Sequence, residues 1–460
     1  IDGETPTITQ AELSLLGFTT VTANNLSAIQ KVLSDVDTSS NYNAVDTLSE
    51  VTAYVDNAVA ALAAISDAAL DNDADKRTDG VDTTEGLTAD DFVAIGVEGV
   101  DAANLPLVLS ALNDPDIDNT DVFNFATTQA LVTAAAKVVA LAGDAAAPKL
   151  VASDLTKLGV DLTSLDSGNT QANAIALLND LIIADATAQT SVADIQTWVT
   201  ALGALIDDVA EATPGSLDLA TADLADLGFD ATSTALVAGS TATTHVTGNN
   251  IQAIRLALSA TADDLSDLAS LSALQTLVND TAKAANKIEN YAEAVPTPTD
   301  AGLIPSVEDF GAIGVTGVDS TNLSAILDAV ADVSTISSDV TAEVQTLVDA
   351  YAHFIAVADG ADDNDTGILT QDYLDLGITL SNNADVKAAQ LTVLADVYDI
   401  KTYDDIDTIT ELQAIADAVE AVLNTSQMPT TTDFTSTGVT KAQIELLGIS
   451  GVTDENIVSI

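Results

Sequence analysis

Two acidic stretches are the places where residue type and spacing point to chemistry. Asp71, Asp73, Asp75, Asp79 and Asp82 fall at the first, third, fifth, ninth and twelfth places of a calcium-binding loop. Such a loop surrounds the ion with hard oxygen ligands, turns on a glycine at its sixth place and closes on a bidentate Glu. Here Lys76 stands at the turn and Asp82 closes the loop. Asp362 and Asn364, with Thr366 and Gly367, open a similar pattern, but Tyr373 stands where its closing acid belongs. A solvated acidic linker is the plainer reading of both stretches. Calcium or another divalent cation is the one cofactor they admit. The two histidines, His245 and His353, have no sequence neighbour at catalytic spacing and read as ordinary positions. No GxSxG, phosphate-binding loop, dinucleotide fingerprint or HExxH occurs. The absence of cysteine excludes thiol catalysis, a disulfide scaffold and Cys-based zinc sites. The sequence therefore predicts no enzyme and no catalytic residue.

The 460 residues carry 71 acidic against 12 basic side chains, a formal charge of −59. Such a field repels nucleic acid, whose phosphate backbone is bound through positive charge. Hydrophobic residues still make up 47% of the chain, and mean hydropathy is +0.29. Disordered acidic tails are poor in apolar residues, so a folded chain is expected. No run of about 18 uninterrupted apolar residues is present, so no transmembrane segment is expected. The opening Ile1-Asp2-Gly3-Glu4-Thr5-Pro6 reads as a linker without a signal peptide, and Met428 is the single methionine. The chain thus reads as a processed product or a segment of something longer.

The elements that must carry these loops recur. An apolar-Gly-apolar phrase appears around Gly17, Gly96, Gly159, Gly228, Gly314, Gly377 and Gly448, at gaps of 79, 63, 69, 86, 63 and 71 residues. An Asn follows eight places later at Asn25, Asn104, Asn322 and Asn456, and in the fourth copy at Asn250 after an insertion of 14 residues. A second marker, Gln followed by an apolar pair, comes later in each unit at Gln129, Gln196, Gln275, Gln345 and Gln413; Thr52 holds its place in the first. Two markers alternating in one order identify an internal repeat.

Local signals give each unit three helices. The first is short, with the spacing of a capping box at Thr9/Glu12, Thr88/Asp91, Ser306/Asp309 and Thr440/Gln443, and ends at the glycine. A second cap at Thr22, Asp101, Asp319 or Thr453 precedes the next helix, where a helix-start role explains Asn25 and Asn322 better than their glycosylation sequons do. The third helix carries the Gln marker; in the fifth unit Val340, Val344, Leu347, Val348 and Tyr351 share a face. The predicted core includes Leu13, Leu16, Leu26 and Ile29 in the first unit, Phe310, Ile313, Leu323 and Ile326 in the fifth, and Trp198 in the third. Expected fold class is all-α: a tandem array of three-helix units of about 63–86 residues in an extended chain. The expected units are residues 1–80, 81–147, 148–214, 215–300, 301–366 and 367–429, with 430–460 opening a seventh.

The phrases Gly96-Val97-Glu98-Gly99-Val100-Asp101-Ala102-Ala103-Asn104-Leu105 and Gly314-Val315-Thr316-Gly317-Val318-Asp319-Ser320-Thr321-Asn322-Leu323 carry a resemblance. With segments such as Leu274-Gln275-Thr276-Leu277-Val278, the chain resembles the tandem helical repeats of very large, acidic bacterial cell-surface proteins, among them adhesins and fibre-forming exoproteins of aquatic bacteria. The resemblance spans nearly the whole chain and implies an extracellular array at the bacterial surface, with no catalytic residue. The expected role is an adhesin stalk or filament component. Its partners would be copies of itself or neighbouring repeats of a longer chain, together with the cell surface. The alternative is a self-assembling surface-layer or filament subunit that packs sideways, with divalent cations assisting. A calcium-sequestering module is a third reading. With 12 basic residues, little internal ion pairing is expected, and self-repulsion should extend the chain.

Overall fold

The computed structural model describes residues 8–37, 47–114, apart from 71–85, and 117, 122, 124–165, 168–185, 187, 189–210, 219–231, 244–261, 265–294, 297–332, 339–358, 360–361, 367–426 and 439–453. The chain is all-α. In order the helices are α1 (Gln10–Leu15), α2 (Leu26–Asp37), α3 (Leu48–Leu70), α4 (Ala89–Ala94), α5 (Leu105–Leu112) and α6 (Phe125–Leu141). Next come α7 (Ala152–Thr156), α8 (Asn169–Ala184), α9 (Val192–Ala210), α10 (Thr221–Asp226), α11 (Ile251–Ser259) and α12 (Leu271–Glu293). The last are α13 (Val307–Ala312), α14 (Leu323–Asp332), α15 (Val340–Val357), α16 (Thr370–Asp375), α17 (Ala384–Asp399), α18 (Ile409–Ser426) and α19 (Lys441–Leu446). No strand occurs among the described residues; Ala231 and Val246 form an isolated bridge.

The short helices stop where the marker glycines stand. Each of the seven has a φ between +75° and +99°, the left-handed region that costs an L side chain about 1–2 kcal/mol. The following N–H reaches back to the carbonyl five residues earlier: Phe18 to Leu13, Val97 to Phe92, Val315 to Phe310 and Ile378 to Tyr373. This is the Schellman ending, which satisfies carbonyls that a helix end leaves bare. At the other end, Glu12 accepts from the Thr9 N–H and Asp309 from the Ser306 N–H, closing the expected capping boxes. At α7 and α16 the cap residues are Val151 and Leu369, so only the acid's half of the box exists, through Asp154 and Asp372.

By contact, the chain divides into two compact bodies. One holds residues 1–211 with 226–228 and 261–274, the other 212–225, 229–260 and 275–460. In the first, Leu13, Phe18, Val21, Ile29, Val32, Val55 and Ala58 form one core cluster. In the second, the predicted face of α15 is buried together with Phe310, Ile313 and Ile326, and Leu323 packs on its margin. Phe354, Tyr373 and Tyr398 stack there, with Phe354 edge-on to each tyrosine at 5.1 Å between centroids. Two core expectations fail. Leu16 is 50% exposed although its counterparts Ile95, Leu158 and Ile313 are fully buried; Ile95 and Leu158 follow short helices that pack on the preceding long helix, α4 on α3 and α7 on α6. Trp198, on α9, is half-buried. Among the described residues, α3 is the one helix long and apolar enough by length and composition to cross a membrane. It also has a buried face of Val55, Leu62 and Ile65, with Asp56 and Asp67 outward.

Candidate functional site

Both polar markers of the sequence act on backbone. The recurring Asn accepts from the N–H three residues before it and donates to the carbonyl five residues before it. Asn25 does so with Thr22 and Thr20, Asn104 with Asp101 and Gly99, Asn250 with Thr247 and His245, and Asn322 with Asp319 and Gly317. The side chain therefore braces the loop behind it; Asn104 and Asn250 stand at the N-cap of the helix ahead without a side-chain hydrogen bond to it. At four of its five positions the marker Gln bonds both backbone groups of a single residue. Gln129 bonds both N–H and C=O of Glu98, Gln196 those of Asp161, Gln345 those of Thr316, and Gln413 those of Thr379. Each bracketed residue stands two places after a marker glycine, so the two sequence signals meet in space.

Further contacts join helices that the sequence places in consecutive units. A long helix packs on the short helix after it: α3 on α4, α6 on α7, α15 on α16 and α18 on α19. A middle helix packs on the next long helix: α2 on α6, α5 on α9, α11 on α15 and α14 on α18. The N-terminus of a long helix has bare N–H groups, and the preceding middle helix supplies acceptors. Ser110 Oγ accepts from the Val192 N–H at 2.9 Å, Asp180 from Leu271 at 3.1 Å, and Asp328 from Ile409 at 2.9 Å. For Val340 the Asn249 carbonyl does this, at 3.3 Å.

The same joints hold cations. Lys137 on α6 spans both carboxylate oxygens of Asp154, at 3.0 and 2.9 Å. Lys287 on α12 lies 2.7 Å from Asp309. Burial pushes the Asp309 carboxyl up, but hydrogen bonds from Lys287 and Ser306 outweigh it and hold the group below the usual carboxylate range. His353 on α15 places Nδ1 2.9 Å from a carboxylate oxygen of Asp372 without a hydrogen bond between them. All three carboxylates are the third residue of a short helix, where the helix dipole also favours negative charge. Lys31 on α2 pairs with Asp35, approaches Glu98 at 3.7 Å and sits 5.6 Å from the centre of the Phe125 ring. Ion pairs to lysine are few among the described residues, as expected from 12 basic residues, and several stand at these joints. His245 Nδ1 lies 2.8 Å from Asp230. Neither histidine contact was legible from spacing, since the partners lie 15 and 19 residues away in the sequence.

The fourth segment extends the loop brace into a larger polar network. Asn250 donates to Asn286, Asn286 donates to the His245 carbonyl, and Asn249 donates to Glu289 at 2.6 Å. Burial pushes the Glu289 carboxyl up against that hydrogen bond, and Glu293 and Glu343 add to the rise. A cleft of about 360 Å³ opens between the start of α7 and α8, lined by Val151, Ala172, Ile175 and Ala176 with Lys149 at its rim. Gln171, Asn179 and Asp180 add polar groups to its lining. Asp71, Asp73, Asp75, Asp79 and Asp82, and likewise Asp362 and Asn364, lie outside the described residues. Among the described residues, no group of three metal-ligating side chains is gathered. No family model matches the chain, and neither a curated protein nor a solved structure matches it.

Proposed function

We propose that this chain is a structural segment of a large bacterial cell-surface or extracellular protein, an adhesin stalk or filament component built as a tandem array of three-helix units. The observation that carries the reading is the recurrence of one joint. The long helix rests on the next short helix, the middle helix caps and packs the next long helix, and at two joints a Lys ammonium meets the third residue of the short helix. Among the described residues these contacts join units adjacent in sequence, the energetic pattern of a linear repeat protein. Length is what that pattern supplies, since adding a unit adds one joint and alters no other. The partners on this reading are neighbouring repeats, copies of the chain and the cell surface, and the net charge of −59 keeps separate chains apart.

Electron microscopy and small-angle scattering of the purified chain test the proposal. An elongated particle is expected, lengthening as salt is lowered. Thermal melts at matched ionic strength in sodium, magnesium or calcium test the cation reading of the acidic stretches, with a higher midpoint expected in the divalent salts. A compact, salt-insensitive particle would overturn the stalk. Identical melts in all three salts would remove the divalent role.

A further inference from the structure

Building on the reading of the chain as three-helix units, we infer that the element repeated along the array is a triplet of units, present twice here, and that each triplet folds and yields as one body. Spacing gives the first sign. Marker glycines lie 79, 63 and 69 residues apart, then 86, 63 and 71, so that Gly17 to Gly228 spans 211 residues and Gly228 to Gly448 spans 220. Helix lengths follow the same period of three. The long helices have 23, 17 and 19 residues, then 23, 18 and 18. The middle helices α8 and α17 have 16 residues each, whereas α5 and α14 have 8 and 10.

Side-chain chemistry keeps this period where a simple array would not require it. In the first unit of each triplet a Phe follows the marker glycine, Phe18 and Phe229. In the second, a further glycine stands three places on, Gly99 and Gly317, both left-handed; within the six full units no other has it, and Gly451 repeats it in the seventh, where Ile449 replaces the Phe. Residues 92–105 and 310–323, in those second units, are identical at 10 of 14 positions. In the third, Leu162 and Leu380 are buried at the place the second unit gives to glycine. The third units also share the apolar caps Val151 and Leu369. Both receive a basic side chain from eight residues past the Gln marker of the unit before, Lys137 at Asp154 and His353 at Asp372. Interchangeable units need present only one pair of faces. Three unit types in fixed order mean that each face fits one neighbour, so the cooperative body is the set. The division of the chain into two compact bodies falls at Glu211, just after α9 ends the first triplet, with residues 226–228 and 261–274 of the fourth unit counted with the first body.

Force spectroscopy on the full chain, held by its two ends, reads the size of the yielding body directly. At about 3.3–3.6 Å per extended residue, two contour increments of about 70–75 nm are expected. Six increments of about 22–30 nm would overturn the triplet while leaving the three-helix units standing. Increments of neither size would overturn both. Hydrogen exchange on full-length Phe310→Ala gives a second reading. Protection is expected to fall together across α10–α18 and to stay unchanged across α1–α9. Loss confined to residues 301–366 would overturn the inference.

Discussion

Replacing Lys137 by Met measures what a joint cation contributes. The Asp154 side chain is 7% exposed and that of Lys137 32%, so the pair sits between surface and interior. Its ammonium bridges both carboxylate oxygens, and the Val151 N–H, at 3.2 Å, is the other donor to that carboxylate. Breaking a fully buried pair from one side costs about 3–5 kcal/mol, and breaking an exposed one about 0–1. One-third exposure of the cation lets water screen it, which places Lys137→Met at about 2 kcal/mol. Met keeps most of the apolar stem, so little of that is lost packing. Asp154→Asn retains an acceptor for Val151 and should cost about 1 kcal/mol. The double variant should recover about 1 kcal/mol relative to the sum, the coupling that contact residues show. Trp198 is the only tryptophan and lies on α9, in the same predicted unit as Asp154. Its fluorescence through a urea titration therefore follows the region concerned. A coupling below about 0.5 kcal/mol would refute the reasoning, and the joint would then rest on apolar packing alone.

Three further outcomes are expected. Burial pushes the Tyr351, Tyr373 and Tyr398 phenols up; their contribution is then complete below the unfolded value near 10 and drains away as pH rises toward the folded values. Alkali should therefore unfold the chain with a late rise in phenolate absorbance, and gradual ionisation of all seven tyrosines in an intact fold would contradict this. Gly377→Ala meets nothing within 4 Å and should cost only the left-handed backbone, about 1–2 kcal/mol, in a denaturant melt. Gly96→Ala would also push its Cβ to 2.6 Å from Lys31 Cγ and should cost about 1 kcal/mol more, by displacing a joint cation; equal costs would contradict that role. Glu289→Gln keeps an acceptor for Asn249 and removes a buried charge, so the variant should melt higher at pH 7. Because burial raises the folded value, wild type gains stability as pH falls through it, and the variant should lose that gain.

The fold class was legible because it rests on local rules. A glycine after a short apolar run can end a helix only in the left-handed region, and all seven did so. The face of α15 followed from a period of 3.6, with Val344 and Tyr351 fully buried. What sequence could not supply was partnership across distance. Gln129 and Glu98 lie 31 residues apart, and nothing local says that one carboxamide will bracket the other's peptide. The Asn marker was visible, but its direction was not: a residue one place before a helix can face forward as a cap or backward as a brace. Leu16 was misjudged because its pattern matches its buried counterparts, while burial depends on contacts from outside its own helix, which no local pattern encodes.

The distribution of the few cations bears on how such an array would behave. Most of the 71 acids have no basic partner to meet, since only 12 basic residues exist. Yet Lys31, Lys137 and Lys287 each reach an acid of the next predicted unit. At physiological salt the Debye length is about 8 Å, so exposed carboxylates repel over less than the width of a helix. Contacts of 2.7–2.9 Å in partly buried joints are screened far less. Salt would therefore act unequally, relaxing repulsion among the exposed carboxylates while leaving the joints closed. On the proposed reading, that inequality lets a stalk change its reach with ionic strength without coming apart.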